Sequence, residues 1–408
     1  MKRTLITNIG MLATPQGTAA RGGRAQGEIC ILKNAWILIE NDVIAQVGTG
    51  AVPTAAGAQT IDAGGKLVTP GLVDAHTHLI FGGWRQNELA LKLHGAGYLD
   101  ILAAGGGILS TMRATKAASE EQLEAKASAA LDEMLRFGTT TAEAKSGYGL
   151  STGEECKALR VIGKLQKHHV MDLAATFMGA HAVPEAYRDN RQGYLELLCE
   201  EMLPAVREQG IAEFCDVFCE KGVFSAEESR RILLTGRQYG LRPKIHADEI
   251  EAIGGSELAG EIGAVSAEHL IVCPPSGIAS MAEGGTVACC LPATSFYLGA
   301  AYAPVQDMVQ AGVPVAMATD FNPGSCPCLN MQLVISLGCL RYRLTPEQAL
   351  TAVTLNGAAA ICRADRIGSI EPGKQADILI WNAEDLDYIC YRLGSNLVDT
   401  VIKKGNVV

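Results

Sequence analysis

The chain has 408 residues, a formal net charge of −10 and an isoelectric point of about 5.4. Hydrophobic residues make up 48% of it and charged residues 19%, so it can bury a large core. It carries no basic stripe, which argues against nucleic acid and against an anionic membrane surface as partners. The N-terminus MKRTLITNIGML lacks the long apolar stretch of a signal peptide and is read as a strand. With 13 cysteines and no such signal, we expect free thiols and a cytoplasmic protein.

Both ends of the chain are predicted to form short antiparallel strands. Residues 1–66 contain AWILIENDVIAQVG (35–48), and residues 366–408 contain ADILIWNA and TVIKKGNVV, with turn residues between such runs. Each end is too short to form a domain alone. We therefore predict one small β-sandwich domain built from 1–66 plus 366–408, with a second domain, 67–365, inserted between them.

The middle of the chain alternates strand-like and helix-like segments. The strands are short, apolar and rich in β-branched or small residues, as expected for strands buried on both faces. Two capping boxes, at 119–122 and 225–228, begin helices between the strands. Eight such units favour a (β/α)8 TIM-type barrel; an open doubly wound sheet is the alternative, but it gives no reason for eight units. The predicted strands are 71–78, 139–145, 170–177, 213–219, 242–247, 265–269, 286–291 and 313–319.

Two histidines lie two positions apart in GLVDAHTHL (71–79). Side chains two apart on a strand point the same way, so His76 and His78 face one spot. Active-site residues of such barrels lie at the carboxyl ends of the strands. Further metal-capable residues occur at the predicted ends of later strands: His181, His246 with Glu249, His269, and Asp320. Five of the 8 histidines lie at strand ends, which favours a metal site over scattered core or surface histidines.

The residue types at these ends indicate the class of metal. Three imidazoles and one carboxylate suit zinc or another first-row ion such as iron(II). A catalytic site of this kind keeps one position open for water, whose pKa a bound metal lowers from 15.7 toward roughly 7. Asp320 can accept the proton as that water attacks. We expect one divalent metal ion per chain, and the ligand types do not distinguish zinc from iron.

Several motifs place the chain near a known superfamily. VTPGLVDAHTHL, KIHADEI, AEHL and ATDFNPGS resemble the metal-site motifs of the amidohydrolase superfamily, whose members carry a sandwich from both chain ends beside the barrel. Within it, longer segments resemble the imidazolonepropionase family. The pair of histidines alone is generic, whereas the combination of SGYGL, GAHAVP and DFNPGS is specific. The longer segments are HLIFGGWRQNEL (78–89), TTTAEAKSGYGL (139–150), MGAHAVPEAY (178–187), DVFCEKGVF (216–224) and TDFNPGSCPCLNMQL (319–333).

The resemblance implies a reaction and a set of site residues. The reaction is hydrolysis of a cyclic amide C–N bond, which opens the ring of 4-imidazolone-5-propanoate to N-formimidoyl-L-glutamate in histidine catabolism. The implied metal ligands are His76, His78, His246 and Asp320, and the implied catalytic residues are Asp320, His269 and Glu249. The implied substrate-binding residues are Arg85, Tyr98, Tyr148, His181, Glu249, Asn322, Gly324 and Ser325. The family also suggests a homodimer.

The chemistry of three residues agrees with these implied roles. His269 can hydrogen-bond the oxyanion that forms on the ring carbonyl. Glu249 lies one turn past a ligand and can carry a proton to the leaving ring nitrogen. Arg85 is our first choice for the anionic part of the substrate, because a guanidinium can bond both oxygens of a carboxylate.

Other interpretations stay open at this point. A deaminase of a nucleobase, or another cyclic-amide hydrolase of the superfamily, would use the same metal, glutamate and histidine. A second metal would need a bridging ligand such as Glu220 or Lys221, just past the fourth strand, whereas the family resemblance favours one metal. A non-catalytic protein on this fold is disfavoured, because all four implied ligands are present.

Overall fold

A computed structural model describes residues 2–54, 56–95 and 106–408. The described strands form two eight-stranded sheets, a mixed sheet from the two ends of the chain and a parallel sheet from its middle. This arrangement confirms the predicted fold class. None of the helices in the described ranges combines the length and the apolar character needed to cross a membrane.

The mixed sheet joins the two ends of the chain. The ends meet where Ile378–Trp381 pairs antiparallel with Leu67–Pro70. The strand Leu67–Pro70 belongs to the mixed sheet, although it lies just past the predicted domain bound at residue 66. The exact domain bounds stay a prediction. In sheet order the strands are Asn406–Val407, Val398–Lys403, Ile378–Trp381, Leu67–Pro70, Arg3–Thr14, Cys30–Glu40 and Val43–Thr49, with Gln59–Asp62 paired to Arg3–Thr14 off this path.

The parallel sheet forms the barrel. Each of its strands pairs in parallel with the next one along the chain, so the eight predicted strands are present in the predicted order. They are Leu72–Asp74, Thr139–Lys145, Asp172–Ala180, Phe214–Cys219, Arg242–Ala247, Ser266–His269, Val287–Cys290 and Val315–Met317, called the first to eighth barrel strands below. Most are buried along their whole length, which explains their apolar, small-residue composition.

The first and eighth barrel strands meet just beyond their carboxyl ends. The backbone amide of His78 donates to the carbonyl of Phe321 at 2.9 Å, and that of Asp320 donates to the carbonyl of His76 at 3.0 Å. The side chain of Asp74 also accepts from the amide and the hydroxyl of Thr319. These contacts close the barrel and bring the predicted site residues of both strands together.

Helices surround the barrel, and the two helix starts predicted from the sequence are present. The capping boxes of Ser119 and Ser225 are both formed. The helix after Ser119 ends before Gly138, whose φ of +95° suits glycine and whose position against Leu379 leaves no room for a β-carbon. The described α-helices are Leu89–Leu93, Gly107–Ala117, Glu120–Arg136, Thr152–His168, Arg191–Glu196, Leu203–Gln209, Ala226–Gln238, Gly255–Glu261, Pro275–Gly284, Pro292–Leu298, Val305–Gln310, Met331–Tyr342, Pro346–Val353, Leu355–Ala360 and Leu386–Tyr391. Short 3-10 helices lie at Gly23–Gly27, Gln86–Glu88 and Glu185–Tyr187, and a π-helical stretch at Leu197–Met202.

A partly buried group of charges joins the mixed sheet to the barrel. Lys403, from the mixed sheet, contacts Asp172 at 2.8 Å and Asp377 at 2.7 Å. Lys404 contacts the other oxygen of Asp172 at 2.6 Å, and Gln375 donates to both carboxylates at 2.8 Å. Because Asp172 begins the third barrel strand, these five residues, called the interface network, hold the two sheets together.

Candidate metal centre

The predicted metal ligands converge at the carboxyl end of the barrel. His76 and His78 follow the first strand, which ends at Asp74 rather than at 78, and both point toward the barrel axis with Thr77 turned away. His246 lies in the fifth strand, and Asp320 follows the eighth. All four side chains are buried.

The ligand atoms lie within metal-binding distance of one another. Asp320 Oδ1 is 3.5 Å from Nε2 of His76 and 3.5 Å from Nε2 of His78. Nε2 of His246 is 3.3 Å from Nε2 of His78. One donor atom each from His76, His246 and His269 also lies within 4.8 Å of the others. The three predicted imidazoles and the carboxylate therefore surround one small space.

Two buried carboxylates hold the far nitrogens of these imidazoles. His76 Nδ1 lies 2.9 Å from Glu268 Oε2, and His246 Nδ1 lies 3.1 Å from Asp216 Oδ1. Since an ionised carboxylate can only accept, each Nδ1 carries the proton and each Nε2 presents its lone pair to the shared space. Such carboxylate–histidine pairs are typical of metal sites, because they fix the ring and raise its basicity.

Two buried lysines support these carboxylates. Lys145 contacts Asp216 at 2.7 Å and Glu143 at 2.8 Å, and all three side chains are buried. Lys244 contacts Glu268 at 3.2 Å and Glu143 at 3.4 Å, and it also donates to the backbone carbonyl just before His76 at 3.3 Å. The carboxylates outweigh burial and raise the pKa of Lys145, so this lysine stays charged. We call these five residues the barrel network: Glu143, Lys145, Asp216, Lys244 and Glu268.

Burial sets the proton state of the site. It lowers the pKa of His76 and of His78 well below the usual value of 6.5, and it lowers the pKa of His269 to about 4. These imidazoles are neutral at pH 7, which is the form that binds a metal. Burial also raises the pKa of Asp320 and brings the pKa of Glu249 to about 7.

The donor set fits a divalent metal ion. Nε2 of His76 is buried and has no hydrogen-bond partner among the described residues, which is costly for a polar atom unless a ligand occupies the position. His78 and His246 direct two nitrogens at each other across 3.3 Å, an arrangement that a shared cation explains. Neutral imidazoles and one carboxylate match zinc or iron(II).

Glu249 and His269 lie together beside the ligands. Oε2 of Glu249 is 3.6 Å from Nε2 of His269. His269 and Asp320 both have left-handed backbone, with φ of +68° and +56°, which is uncommon for residues other than glycine. Left-handed residues of this kind are often retained at functional sites, since the surrounding structure must stabilise them.

Arg85 lies over the loop that follows Asp320. Its Nε donates to Glu88 at 3.1 Å, and Glu88 accepts the backbone amide of Gly107 at 2.7 Å with its other oxygen. A β-carbon at Gly324 would lie 2.1 Å from Nη2 of Arg85, so the guanidinium packs directly on this glycine. Arg85 and Gly324, both predicted to bind substrate, are thus brought together.

Tyr148 and His181 line the same side of the site. The ring of His181 stacks on that of His78 at 4.9 Å, and the ring of Tyr148 lies 5.2 Å from His181 and 6.0 Å from His78. Nδ1 of His181 lies 3.0 Å from the carbonyl of Gly147 and must donate to it. Burial lowers the pKa of His181 to about 3, so its other nitrogen is an acceptor at neutral pH.

Asn322 organises the loop that carries Gly324 and Ser325. Its side-chain oxygen accepts from the amides of Gly324 and Ser325 at 2.8 and 2.7 Å, and its nitrogen donates to the carbonyl of Asp320 and the hydroxyl of Ser325. The side-chain amide is thus engaged within the loop. A direct substrate contact of Asn322 stays a prediction, as does that of Tyr98, which lies outside the described residues.

Neither residue considered for a second metal lies in the metal-capable groups of the described chain. Glu220 accepts backbone amides with both carboxylate oxygens. Lys221 pairs with Glu251 at 2.8 Å on the surface. Both side chains are therefore engaged in contacts outside the metal-capable groups.

Several residues that position the site were missed from the sequence. Asp216 and Glu268 hold the ligand imidazoles, and Lys244 supports Glu268. Thr294, in the helix after the seventh strand, donates to Oδ2 of Asp320 at 2.7 Å. The sequence did offer one signal, because these charged residues lie inside otherwise apolar segments. Buried charged side chains are rarely left unpaired, so partners could have been expected.

Comparisons with known proteins agree with this geometry. A profile of the amidohydrolase family matches residues 67–408. A protein named imidazolonepropionase from Alkaliphilus metalliredigens (strain QYMF) is 50% identical over 414 residues, covering 100% of this chain and 98% of its own. A triazine hydrolase variant superposes with a TM-score of 0.76 at 18% identity, covering 100% of this chain and 94% of its own. An adenosine deaminase from Xanthomonas campestris with bound zinc has a TM-score of 0.70 at 20% identity, covering 99% and 92%. At such identities the two solved structures show the fold alone.

Proposed function

Because this chain belongs to the amidohydrolase family and, within it, to the imidazolonepropionases, we propose that it opens the ring of 4-imidazolone-5-propanoate to N-formimidoyl-L-glutamate. The reaction hydrolyses a C–N bond of a cyclic amide in histidine degradation. The observation that carries the proposal is the convergence of three imidazoles, Asp320 and the Glu249–His269 pair at one end of the barrel.

His76, His78, His246 and Asp320 would hold one divalent ion, zinc or iron(II). The unpartnered Nε2 of His76 and the short distance between His78 and His246 support this assignment. When bound, such an ion polarises a carbonyl and lowers the pKa of a water molecule toward roughly 7. The zinc in the adenosine deaminase of the same fold is consistent with this choice of metal.

Asp320 is the proposed base for the attacking water. Thr294 fixes Oδ2 of this carboxylate, so Oδ1 is the oxygen that faces the imidazoles. A fixed carboxylate at this point can take the proton as the water oxygen bonds to the ring carbonyl carbon. Asp320 adopts an unfavourable left-handed backbone conformation in this position, which the surrounding structure must stabilise.

His269 and Glu249 complete the hydrolysis. A neutral His269 can donate one N–H to the oxyanion that forms on the carbonyl. Glu249, with a pKa of about 7, can hold a proton and deliver it to the ring nitrogen as the C–N bond breaks. A carboxyl group near this pKa both gains and loses a proton readily at neutral pH.

The proposed substrate contacts lie around the propionate and the ring. Arg85, fixed by Glu88 and packed on Gly324, is the proposed partner of the carboxylate, because a guanidinium can bond both carboxylate oxygens. Tyr148 and His181 offer a hydroxyl and a ring nitrogen beside His78. Ser325, in the loop shaped by Asn322, and Tyr98 are further proposed contacts.

The cell compartment and the oligomeric state are further parts of the proposal. All thirteen cysteines are free thiols in the structure, which supports a reducing compartment such as the cytoplasm. The proposed homodimer is tested by light scattering of the purified protein, in which a monomeric mass would contradict it.

Purified protein tests the reaction directly. We expect about one divalent metal ion per chain and loss of imidazolone absorbance when substrate is added. A fully metal-loaded protein without turnover would contradict the proposal. Release of ammonia from an amino-substituted heterocycle, without opening of its ring, would favour a deaminase instead.

A further inference from the structure

Glu220 is buried beside the site without belonging to the group of metal-capable side chains. It follows the fourth barrel strand and is 1% exposed. Its backbone is held on both sides, since its amide donates to the carbonyl of Phe224 at 3.0 Å and its carbonyl accepts the amide of Val223 at 2.9 Å. The side chain therefore projects from a fixed turn.

Both carboxylate oxygens of Glu220 accept backbone amides, and two of the three donors lie directly after Glu249. The amide of Ile250 donates to Oε2 at 2.9 Å, and that of Glu251 donates to Oε1 at 3.1 Å. The third donor is the amide of Lys221 at 2.8 Å. One buried carboxylate thus holds the chain immediately beyond the proposed acid–base residue.

The loop held in this way, residues 248–251, has no regular secondary structure. Asp248 has left-handed backbone, with φ of +53°, so no regular helix orients the residue that follows it. The side chain of Ile250 is 67% exposed and contributes little packing. A further backbone bond joins the carbonyl of Asp248 to the amide of Val272 and ties the loop to the segment after His269.

We propose that Glu220 is a positioning residue that fixes residues 248–251 so that Glu249 reaches the leaving ring nitrogen. This inference rests on the proposed function, in which Glu249 carries that proton. The charge of Glu220 has a second effect on the same side chain. Burial raises the pKa of Glu249, and the nearby negative charge of Glu220 adds to that rise.

The substitution Glu220→Gln tests the proposal. Glutamine has nearly the same size, but its –NH2 group cannot accept a backbone N–H, so one of the loop contacts is lost. We expect kcat to fall about 10- to 100-fold, a part of the 10²–10⁴ that general acid–base catalysis contributes, with KM changed less than about 3-fold. The matched control is Lys221→Ala, which breaks the exposed pair with Glu251 on the same loop. It should change kcat less than about 2-fold, as exposed ion pairs contribute little.

A double-mutant cycle with Glu249→Gln separates positioning from a general structural effect. If Glu220 acts through Glu249, adding Glu220→Gln to the Glu249→Gln enzyme should lower kcat less than about 2-fold further. An equal fall in both backgrounds would overturn the proposal, as would unchanged kcat in Glu220→Gln alone. If Glu220→Gln does not fold, Glu220→Asp, which keeps both acceptor oxygens at shorter reach, takes its place in the cycle. An inactive wild-type enzyme would overturn the proposed function and this inference with it, whereas an active wild type limits any failure to the inference.

Discussion

The barrel network and the interface network are both built from lysine–carboxylate contacts, but they serve different purposes. Each places buried lysines between carboxylates, and Lys145, Lys244 and Lys403 are all almost fully excluded from solvent. In the barrel network, two carboxylates have an oxygen left for an imidazole, so the network ends on His76 and His246. In the interface network the carboxylates make their remaining contacts with the side-chain amide of Gln375 and the backbone amide of Lys404.

This difference shows that a buried ion network does not by itself indicate a functional site. A buried ion pair is weak evidence for stability, because desolvation of the charges offsets their attraction. What distinguishes the barrel network is that its carboxylates fix the tautomer of groups facing a shared space. Disruption of the barrel network should therefore affect metal binding and turnover, and disruption of the interface network should affect stability.

Removal of the metal should have the largest effect. Incubation with a chelator is expected to abolish turnover, at least about 10³-fold, because the proposed hydrolysis depends on the metal. The fold should persist, since both networks are made by the chain itself. Activity and circular dichroism measured before and after chelation check this, and added zinc or iron(II) should restore activity. Full turnover in metal-free protein would contradict the proposed centre.

Glu268→Gln should weaken metal binding indirectly, through His76. The change keeps the shape of the side chain but replaces a charged acceptor of the His76 proton by a neutral one. Metal affinity is expected to fall about 10- to 100-fold, the usual range for such outer contacts, and kcat/KM should fall with it. Competition with a chromophoric chelator measures the affinity. The matched control is Asp377→Asn, and equal affinities in the two variants would refute the assigned difference between the networks.

Asp377→Asn should act on stability instead. It removes a buried carboxylate from Lys403, which contacts it at 2.7 Å. Loss of one partner of a buried pair typically costs about 3–5 kcal/mol, and the amide oxygen of asparagine should reduce this to about 2–3 kcal/mol. Denaturant unfolding followed by circular dichroism measures the loss, with kcat/KM expected within about 2-fold of wild type. A large fall in kcat/KM at unchanged stability would contradict it.

The pH dependence of the interface network should be the smallest effect. Burial alone would raise the pKa of Asp172, but Lys403 and Lys404 outweigh it and lower the pKa from 3.8 to about 2. A carboxyl group with a lower pKa in the folded chain stabilises fully above about pH 4, and this contribution is lost as the pH falls toward 2. Since the side chain is 37% exposed, we expect about 1 kcal/mol or less. The difference in unfolding free energy between wild type and Asp172→Asn should shrink between pH 6 and pH 3, and a constant difference would argue against this pair.

The barrel was predictable because its strands are buried on both faces. Such strands must be apolar, short and separated by helices, and their sequence shows each of these features. It was equally predictable that His76 and His78 face the same space, because side chains two apart along an extended chain lie on one side. The predicted first strand was nevertheless too long, since the regular strand ends at Asp74 and the histidines lie beyond it, around an isolated bridge between Thr77 and Phe321.

The supporting contacts were not predictable in the same way. Glu268 precedes His269 in a strand, and neighbours in a strand face opposite ways, so nothing local indicated that it reaches His76 from a different strand. A substrate contact of Asn322 stays a prediction, but the sequence did not indicate that its side chain also orders its own loop. Such contacts depend on distances between segments far apart in the chain, which one sequence does not reveal.

The closure of the barrel has a consequence for the order of events during synthesis. Asp74 and Thr319, which meet at the seam, are 245 positions apart. The first two proposed histidine ligands leave the ribosome long before Asp320, so a nascent chain holds only part of the proposed donor set until its last barrel strand docks. Uptake of the metal therefore reports completion of the fold, and a chain interrupted before residue 320 would leave its exposed histidines to bind metal ions weakly and without selectivity.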